Sequence, residues 1–478
     1  MTLSSTHLLQ AVPGPDRSST LDNLPNEVMS TIFEFYTSDL AFRTTPLTLG
    51  AVTQRWRDIA WSTPQLWTTL FFSSGYRQSS LDTRIQLAEE WLHRSGTLPL
   101  SIWIHVLPPS VEEQHRQLYY ALVEALNQHC SQWHVLDLKM PRDVLSRLSL
   151  SESGCSSPRI KELTLASDTH GEISFPSLSR LKPARVVCHR IQLTHGSLTW
   201  SSVTHCSIAF LKANRILELL RAAPCLSQCQ FESVQRRDIR RGREEVEHVT
   251  HSHLESLRIN FSYHEAETYV LNNMTLPALK HLDIRAVVCD FHVEPLISLL
   301  TRSSCRLRSL TIQEHDYLDE ELVSVLQVLP SLEILHILAG FAEENHEEAF
   351  YAALIGHLPT EETPIPRYSQ PLLVSLRHFS WVGYGAFHWN ALLNLLAPLD
   401  PDSNRTRPLE LIDVQCIREE EDPIPYIGRD AVEKILKLKG RVGFKLSVED
   451  EEGDRKDLLE MSLGLLNGDQ TYNSTLLE

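Results

Sequence analysis

Residues with reactive side chains are scattered along this chain in patterns that fall short of known chemistries. Cys225 and Cys229 are spaced Cys-x3-Cys with no second pair nearby, so they lack the doubled spacing of a structural zinc site. His248, His251 and His253 cluster just before a predicted strand, with no helical i, i+4 pairing and no spaced carboxylate, which reads as a solvated loop. No Ser/His/Asp motif, nucleotide-binding glycine loop or His-Glu-x-x-His run occurs, so no catalytic residue, cofactor or metal is expected. What remains suits recognition. Arg236, Arg237, Arg240, Arg241 and Arg243 make a basic stretch able to grip a phosphorylated or acidic motif through bidentate guanidinium contacts, or else an ordinary exposed loop. The aromatic-glycine run from Trp381 to Trp389 offers Tyr384, Phe387 and Trp389 as binding anchors.

Composition narrows the classes of partner. A balance of 44 Lys+Arg against 61 Asp+Glu gives a formal net charge of −17, which argues against a general phosphate-binding surface and hence against nucleic acid. Nine cysteines in 478 residues are too sparse and too irregular for a disulfide scaffold, and point to a reducing compartment, cytoplasmic or nuclear. The stretch Met1 to Thr20 lacks the pattern of a signal peptide, and no run approaches the roughly 18 apolar residues needed to span a bilayer, so a membrane partner is not expected.

Between Leu24 and Trp67 the apolar residues follow a bipartite pattern. Leu24-Pro25-Asn26-Glu27-Val28 leads to Ile32-Phe33, then come Val52, Trp56-Arg57-Asp58-Ile59-Ala60 and Thr63-Pro64-Gln65-Leu66-Trp67. Pro25 fits a first helical position and Glu27 the first turn, where the helix dipole favours a carboxylate. Val28, Ile32, Phe33 and Tyr36 then form one apolar face, with Asn26, Ser30 and Glu34 largely away from it. A second helix carries Leu49, Val52, Trp56, Ile59 and Ala60, and Ser62 or Thr63 caps a short third helix starting at Pro64. Many of these residues must build the core of such a bundle, and Trp56, Ile59 and Trp67 fit core or interface equally. A bundle of roughly 45 residues buries little surface, which favours a partner over its exposed apolar side.

This segment resembles an F-box, a helical plug that docks on a Skp-type adaptor. Thr53-Gln54 stands where a Cys-Arg or similar pair often occurs in that family. The continuation through Trp91-Leu92-His93-Arg94-Ser95-Gly96-Thr97-Leu98-Pro99-Leu100 is similar to F-box proteins of mushroom-forming fungi. The resemblance implies a non-catalytic substrate-recognition subunit of a Skp-cullin-F-box ubiquitin ligase. It implies adaptor contacts at Leu24, Pro25, Glu27, Val28, Ile32 and Phe33, with Val52, Trp56, Ile59 and Trp67 as further candidates, and a cullin reached through the adaptor. A scaffold or interaction protein working outside a ligase is the alternative. An enzyme on an α/β fold would need a deep pocket with convergent titratable groups.

Further along, an apolar-x-x-apolar-x-apolar phrase recurs: Leu254/Leu257/Ile259, Leu279/Leu282/Ile284, Leu307/Leu310/Ile312 and Leu332/Leu335/Ile337. The middle positions are 25, 28 and 25 residues apart, the period of leucine-rich repeats. Weaker copies are Leu136/Leu138, Leu163/Leu165, Val186/Cys188, Cys206/Ile208, Cys229/Phe231, Phe379/Trp381 and Ile412/Val414, which makes Cys206 and Cys229 small core residues. Amphipathic segments between them, such as Leu296/Leu299/Leu300, supply crossover helices. The expected fold is α/β: a three-helix F-box, then an irregular leucine-rich solenoid with an inner parallel sheet and outer helices, an ordinary doubly wound domain being the alternative. Its inner face would present Arg258, Asp283, Thr311, His336 and Ser380 to a protein target. The organisation expected is a disordered leader at 1–20, F-box at 21–72, linker helix at 73–98, solenoid with C-terminal cap at 99–448 and acidic tail at 449–478. The step from Leu335 to Phe379, with its acidic stretch Glu343 to Glu348 and prolines Pro359 to Pro371, reads as a lost or expanded repeat.

Overall fold

The computed structural model describes residues 24–38, 45–73, 81–106, 113–150, 160–193, 196–237, 248–286, 292–314, 319–339, 372–384, 387, 389, 392, 395–399, 406–418, 423–450 and 452–467. The leader, Arg240, Arg241, Arg243, the acidic and proline-rich stretches between Leu335 and Phe379 and the last residues of the chain lie outside that set. The chain divides into two compact units, Met1–Arg159 and Ile160–Glu478.

The first unit opens on α1 (Asn26–Ser38). Pro25 lies just before the helix rather than at its first position, and its carbonyl accepts the Met29 N–H at 3.1 Å. The single second helix expected from the pattern is two, α2 (Pro46–Gly50) and α3 (Gln54–Trp61). Thr53 explains the break, because its hydroxyl accepts the Trp56 N–H at 3.1 Å and so caps α3. Gly50 ends α2 beneath the Trp61 ring, where an added Cβ would sit 2.2 Å from ring carbon Cζ3. The third segment, Pro64–Trp67, is a 3-10 turn without a side-chain cap; the Thr63 hydroxyl donates back to the Ile59 carbonyl at 2.7 Å instead. Trp67 is the keystone of this bundle: its indole N–H donates to the Ala60 carbonyl at 2.8 Å, and its ring meets Trp61 and Trp91 edge-on at 5.3 and 4.9 Å.

A parallel ladder follows directly. Strands β1 (Thr69–Ser73), β2 (Leu100–His105) and β3 (Trp133–Lys139) pair so that Leu70, Ile102 and Leu136 fall in one row and Phe72, Ile104 and Leu138 in the next. The helices α4 (Leu81–Arg94) and α5 (Glu113–Gln128) connect them, and a single turn, α6 (Arg142–Leu145), follows β3. The segment expected as a linker is therefore a crossover helix. α4 buries Leu81, Ile85, Ala88, Trp91 and Leu92, and the ladder begins at residue 69 rather than 99. Gly96 follows α4 at φ 66°, the left-handed conformation that stops a helix.

The second unit repeats the scheme. Its main sheet runs β4 (Glu162–Ile173), β5 (Arg185–Leu193), β6 (His205–Ala209), β7 (Gln228–Val234), β9 (Ser256–Phe261), β11 (His281–Ala286), β12 (Ser309–Glu314), β13 (Ile334–Ala339), β14 (His378–Tyr384), β15 (Leu411–Ile417), β16 (Gly443–Glu449) and β17 (Arg455–Asp457). All these pairings are parallel except the last. The short strands β8 (Val249–Thr250) and β10 (Met274–Thr275) pair separately. Crossovers include α7 (Ala213–Ala222), α8 (His264–Asn272), α9 (Val293–Ser303) and α10 (Asp319–Gln327).

The register aligns the repeated phrase residue for residue. Cys229, Leu257, Leu282, Leu310, Leu335, Phe379 and Ile412 form one row, and Phe231, Ile259, Ile284, Ile312, Ile337, Trp381 and Val414 the next. Both rows are buried, together with Val270, Leu296 and Leu299 of the helices, so the core lies between sheet and crossovers. Strand β16 extends the ladder in register, Ile412 beside Phe444. The antiparallel β17 and α12 (Leu458–Leu466) end the described ladder, after α11 (Arg429–Leu438). Asp457 caps α12 through the Glu460 N–H, and Leu458, Leu459 and Met461 are buried, so residues assigned to an acidic tail belong to the folded end.

Candidate functional site

The two faces of α1 have different fates. Met29 and Phe33, four residues apart, are buried, and Ser30 on the same side lies 3.0 Å from the Thr63 hydroxyl. Val28, Ile32 and Phe35, at i, i+4 and i+7, are 43, 41 and 77% exposed, with Tyr36 beside them at 51%. Helical geometry places these on one stripe. Among the candidate adaptor contacts, Val28 and Ile32 belong to this stripe, Pro25 and Glu27 are exposed at its start, and Val52 is exposed as well. Leu24 is half-buried and its carbonyl accepts from the Arg55 guanidinium, which also donates to Asn26 at 3.1 Å. Phe33, expected at the adaptor, is instead sealed in the unit's own core, and of the residues that fit core or interface equally Ile59 and Trp67 are core. Trp56, half-buried, packs against Phe33 at 5.0 Å.

The open face of the second unit is polar. Between the two apolar rows runs the row Arg258, Asp283, Thr311, His336, Ser380 and Asp413, in consecutive register. Over β5 to β12 it forms a trough of about 370 Å³ lined by Arg185, His205, Gln230, Arg258, His281 and Asp283, among others. Asp283 is its electrostatic centre: Arg258 donates to it at 2.7 Å and Arg285 at 2.8 Å. The hydrogen bond that Arg285 donates to Asp283 is the main reason the Arg285 pKa is raised. His336 is held below the usual imidazole range by burial.

The other candidate recognition residues are mostly engaged. Arg236 pairs with Glu265 at 3.3 Å and lies 4.6 Å over the Tyr263 ring, and Arg237 lies 5.4 Å over Tyr269, so the described end of the basic stretch folds onto α8. Arg240 and Arg241 lie outside the described residues. Tyr384 is half-buried, but Phe387 and Trp389 are buried, the Trp389 N–H donating to the Pro425 carbonyl at 3.3 Å; they are packing residues, not surface anchors.

In the histidine cluster His248 and His253 are exposed, but His251 is not. His251 is buried between the Ala223 carbonyl at 2.9 Å and the Leu254 N–H at 3.1 Å, which together set Nε2 as donor and Nδ1 as acceptor. Cys188 and Cys229 are buried thiols pushed up by desolvation, the former to about 12, and so lack thiolate reactivity.

One constellation has no signal in the linear sequence. His264 opens α8, Glu267 follows at i+3, and His292 caps the start of α9. Their candidate ligand atoms lie within 4.8 Å of one another, and the two imidazoles stack with centroids 3.9 Å apart. Glu267 is 0% exposed and neither carboxylate oxygen has a well-formed hydrogen bond, although the His292 backbone N–H is near enough to favour its charge. Burial nevertheless pushes the carboxyl up to about 8.

The bundle with the exposed stripe is an F-box-like domain, the family whose model matches residues 21–73. No curated protein matches the chain. Among solved structures the chain is similar to one described as the crystal structure of the TLR13-ssRNA13 complex, at 13% identity and a TM-score of 0.21, covering 67% of this chain and 56% of that one. The chain thus spans little more than half the length of that protein, and the ladder architecture rests on its own strand register. Among the described residues no helix is long and apolar enough to cross a membrane.

Proposed function

We propose that this chain is the substrate-recognition subunit of a Skp-cullin-F-box type ubiquitin ligase. F-box domains generally bind Skp-type adaptors, and the exposed apolar stripe through Val28 and Ile32 on an F-box-like bundle is the observation that carries the reading. An apolar helix face left in water is stabilised when a partner covers it. The ladder's polar open face then holds a protein target. The chain's contribution to ubiquitin transfer is proximity: it raises the effective concentration of target lysines near the charged conjugating enzyme and moves no proton itself. Recruitment of a cullin, a cytoplasmic or nuclear location and kinship with the receptors of mushroom-forming fungi belong to the same proposal.

The test is Val28→Asp with Ile32→Asp in the full chain. Two charges on the exposed stripe leave the core of the bundle untouched and abolish co-purification with a Skp-type adaptor, at least about a hundredfold in affinity if each desolvated charge costs a few kcal/mol. Thermal unfolding stays as in the unaltered protein. Retained adaptor binding overturns the docking face. Adaptor captured without a cullin points instead to a scaffold acting outside a ligase.

A further inference from the structure

We propose that His264, Glu267 and His292 form a site for a first-row divalent cation of the zinc class, with one coordination position left open. Two imidazoles and one carboxylate are a complete protein set for such a site, and the imidazoles select zinc-class ions over magnesium or calcium. Three observations meet at this spot. The candidate donor atoms converge within 4.8 Å. Both oxygens of Glu267 are buried without a well-formed hydrogen bond, and Nδ1 of His264 is buried and unpartnered too. Such groups normally find partners, because a polar atom removed from water loses its hydration with nothing in return. A cation between them supplies the missing partner to all at once.

The ladder makes the site possible. His264 and Glu267 share one face of α8 at i and i+3, and His292 stands at the start of the next described helix, α9. β9 and β11 pair in register, and α8 and α9 follow them in the chain. Closing from the present separations to metal bonds of about 2 Å requires side-chain rotation, chiefly of the exposed His292. The first turns of two helices carry partial positive charge and oppose a cation. Glu267, with Glu294 close enough to act on it, offsets that charge.

The experiment uses the full chain, stripped with a chelator, dialysed and titrated with Zn²⁺ by calorimetry and with Co²⁺ by visible absorption. The expected result is one equivalent bound, with a Co²⁺ spectrum lacking thiolate charge-transfer bands. His292→Ala and Glu267→Gln each weaken binding by more than about tenfold, the scale that even outer partners of metal sites reach. Cys225→Ser, at an exposed thiol, leaves it unchanged. Should Glu267→Gln fail to fold, His292→Ala decides, because His292 is exposed. No stoichiometric uptake, uptake indifferent to His292→Ala, or uptake lost with Cys225→Ser overturns the site. The adaptor reading is unaffected by any of these outcomes.

Discussion

On α1 the exposed positions are Val28, Ile32 and Phe35, whereas on the open face of the second unit's sheet Arg258 is exposed and Asp283, Thr311 and His336 are half-buried. Both regions have a well-buried core, Met29 and Phe33 in one, the rows through Leu257 and Ile259 in the other. They differ in what they leave uncovered. An apolar stripe raises the free energy of the isolated protein by about 25 cal/mol per Å² of surface that a partner could cover, so it is built for constant occupancy. A mixed polar face is at ease in water and suits a partner that comes and goes, selected by charge pattern. On the proposed function, the bundle is the fixed attachment and the ladder the selective one.

The strongest way to break this contrast is Trp67→Ala. Trp67 is 1% exposed and holds the bundle from within, so truncation costs about 3–5 kcal/mol and unfolds the docking domain. Adaptor binding and helical circular dichroism fall together, whereas Val28→Asp with Ile32→Asp loses binding alone. If Trp67→Ala keeps both, Trp67 is not what holds the bundle together. A smaller effect sharpens the other side. Asp283→Asn keeps the shape of the side chain but removes the charge shared by Arg258 and Arg285, and because both guanidinium groups stay partly in water the cost is about 1 kcal/mol, a small shift of the denaturation midpoint. If the face holds the target as proposed, capture from a lysate falls, because the face loses the charge that pairs Arg258 and Arg285. A large loss of stability would mean that the row is structural.

Much of the ladder was legible because each apolar phrase returns at nearly constant period and the strand alternates in and out, so that pairs such as Leu282/Ile284 and Leu310/Ile312 announced their neighbours. Leu70/Phe72 escaped because Phe71 between them is also apolar: 61% exposed, it stacks on Trp103 at 5.4 Å and blurs the alternation. On α1 the apolar residues occupy two faces, so spacing revealed amphipathic character but put Val28 and Ile32 in the same class as the buried Phe33. Met29, the true partner of Phe33, went unnoticed for that reason. Burial of Phe387 and Trp389 is a matter of tertiary packing, which no local pattern encodes. His264, Glu267 and His292 meet only through the pairing of successive strands, so their chemistry was invisible until the register was known.

The smallest expected effect concerns His336 in the middle of the polar row. Desolvation lowers its pKa from the ordinary 6.5, His378 adds to the shift, and Asp413 and Asp283 oppose it. Folding therefore favours the neutral ring. Below the unfolded value the unfolded chain binds the proton more readily than the native protein does, so stability is fully present above about pH 6.5 and declines as the pH falls through the lower folded value. Denaturant midpoints for the full chain at pH 7.5 and pH 5.5 measure that decline, and His336→Gln, which cannot titrate, reduces it. His129 and His248 are shifted the same way by burial and retain their own share, so the difference shrinks without vanishing. Should His336→Gln leave the pH difference intact, the open face is better hydrated than its geometry implies, and the ladder's polar row is a solvated surface before it is a recognition surface.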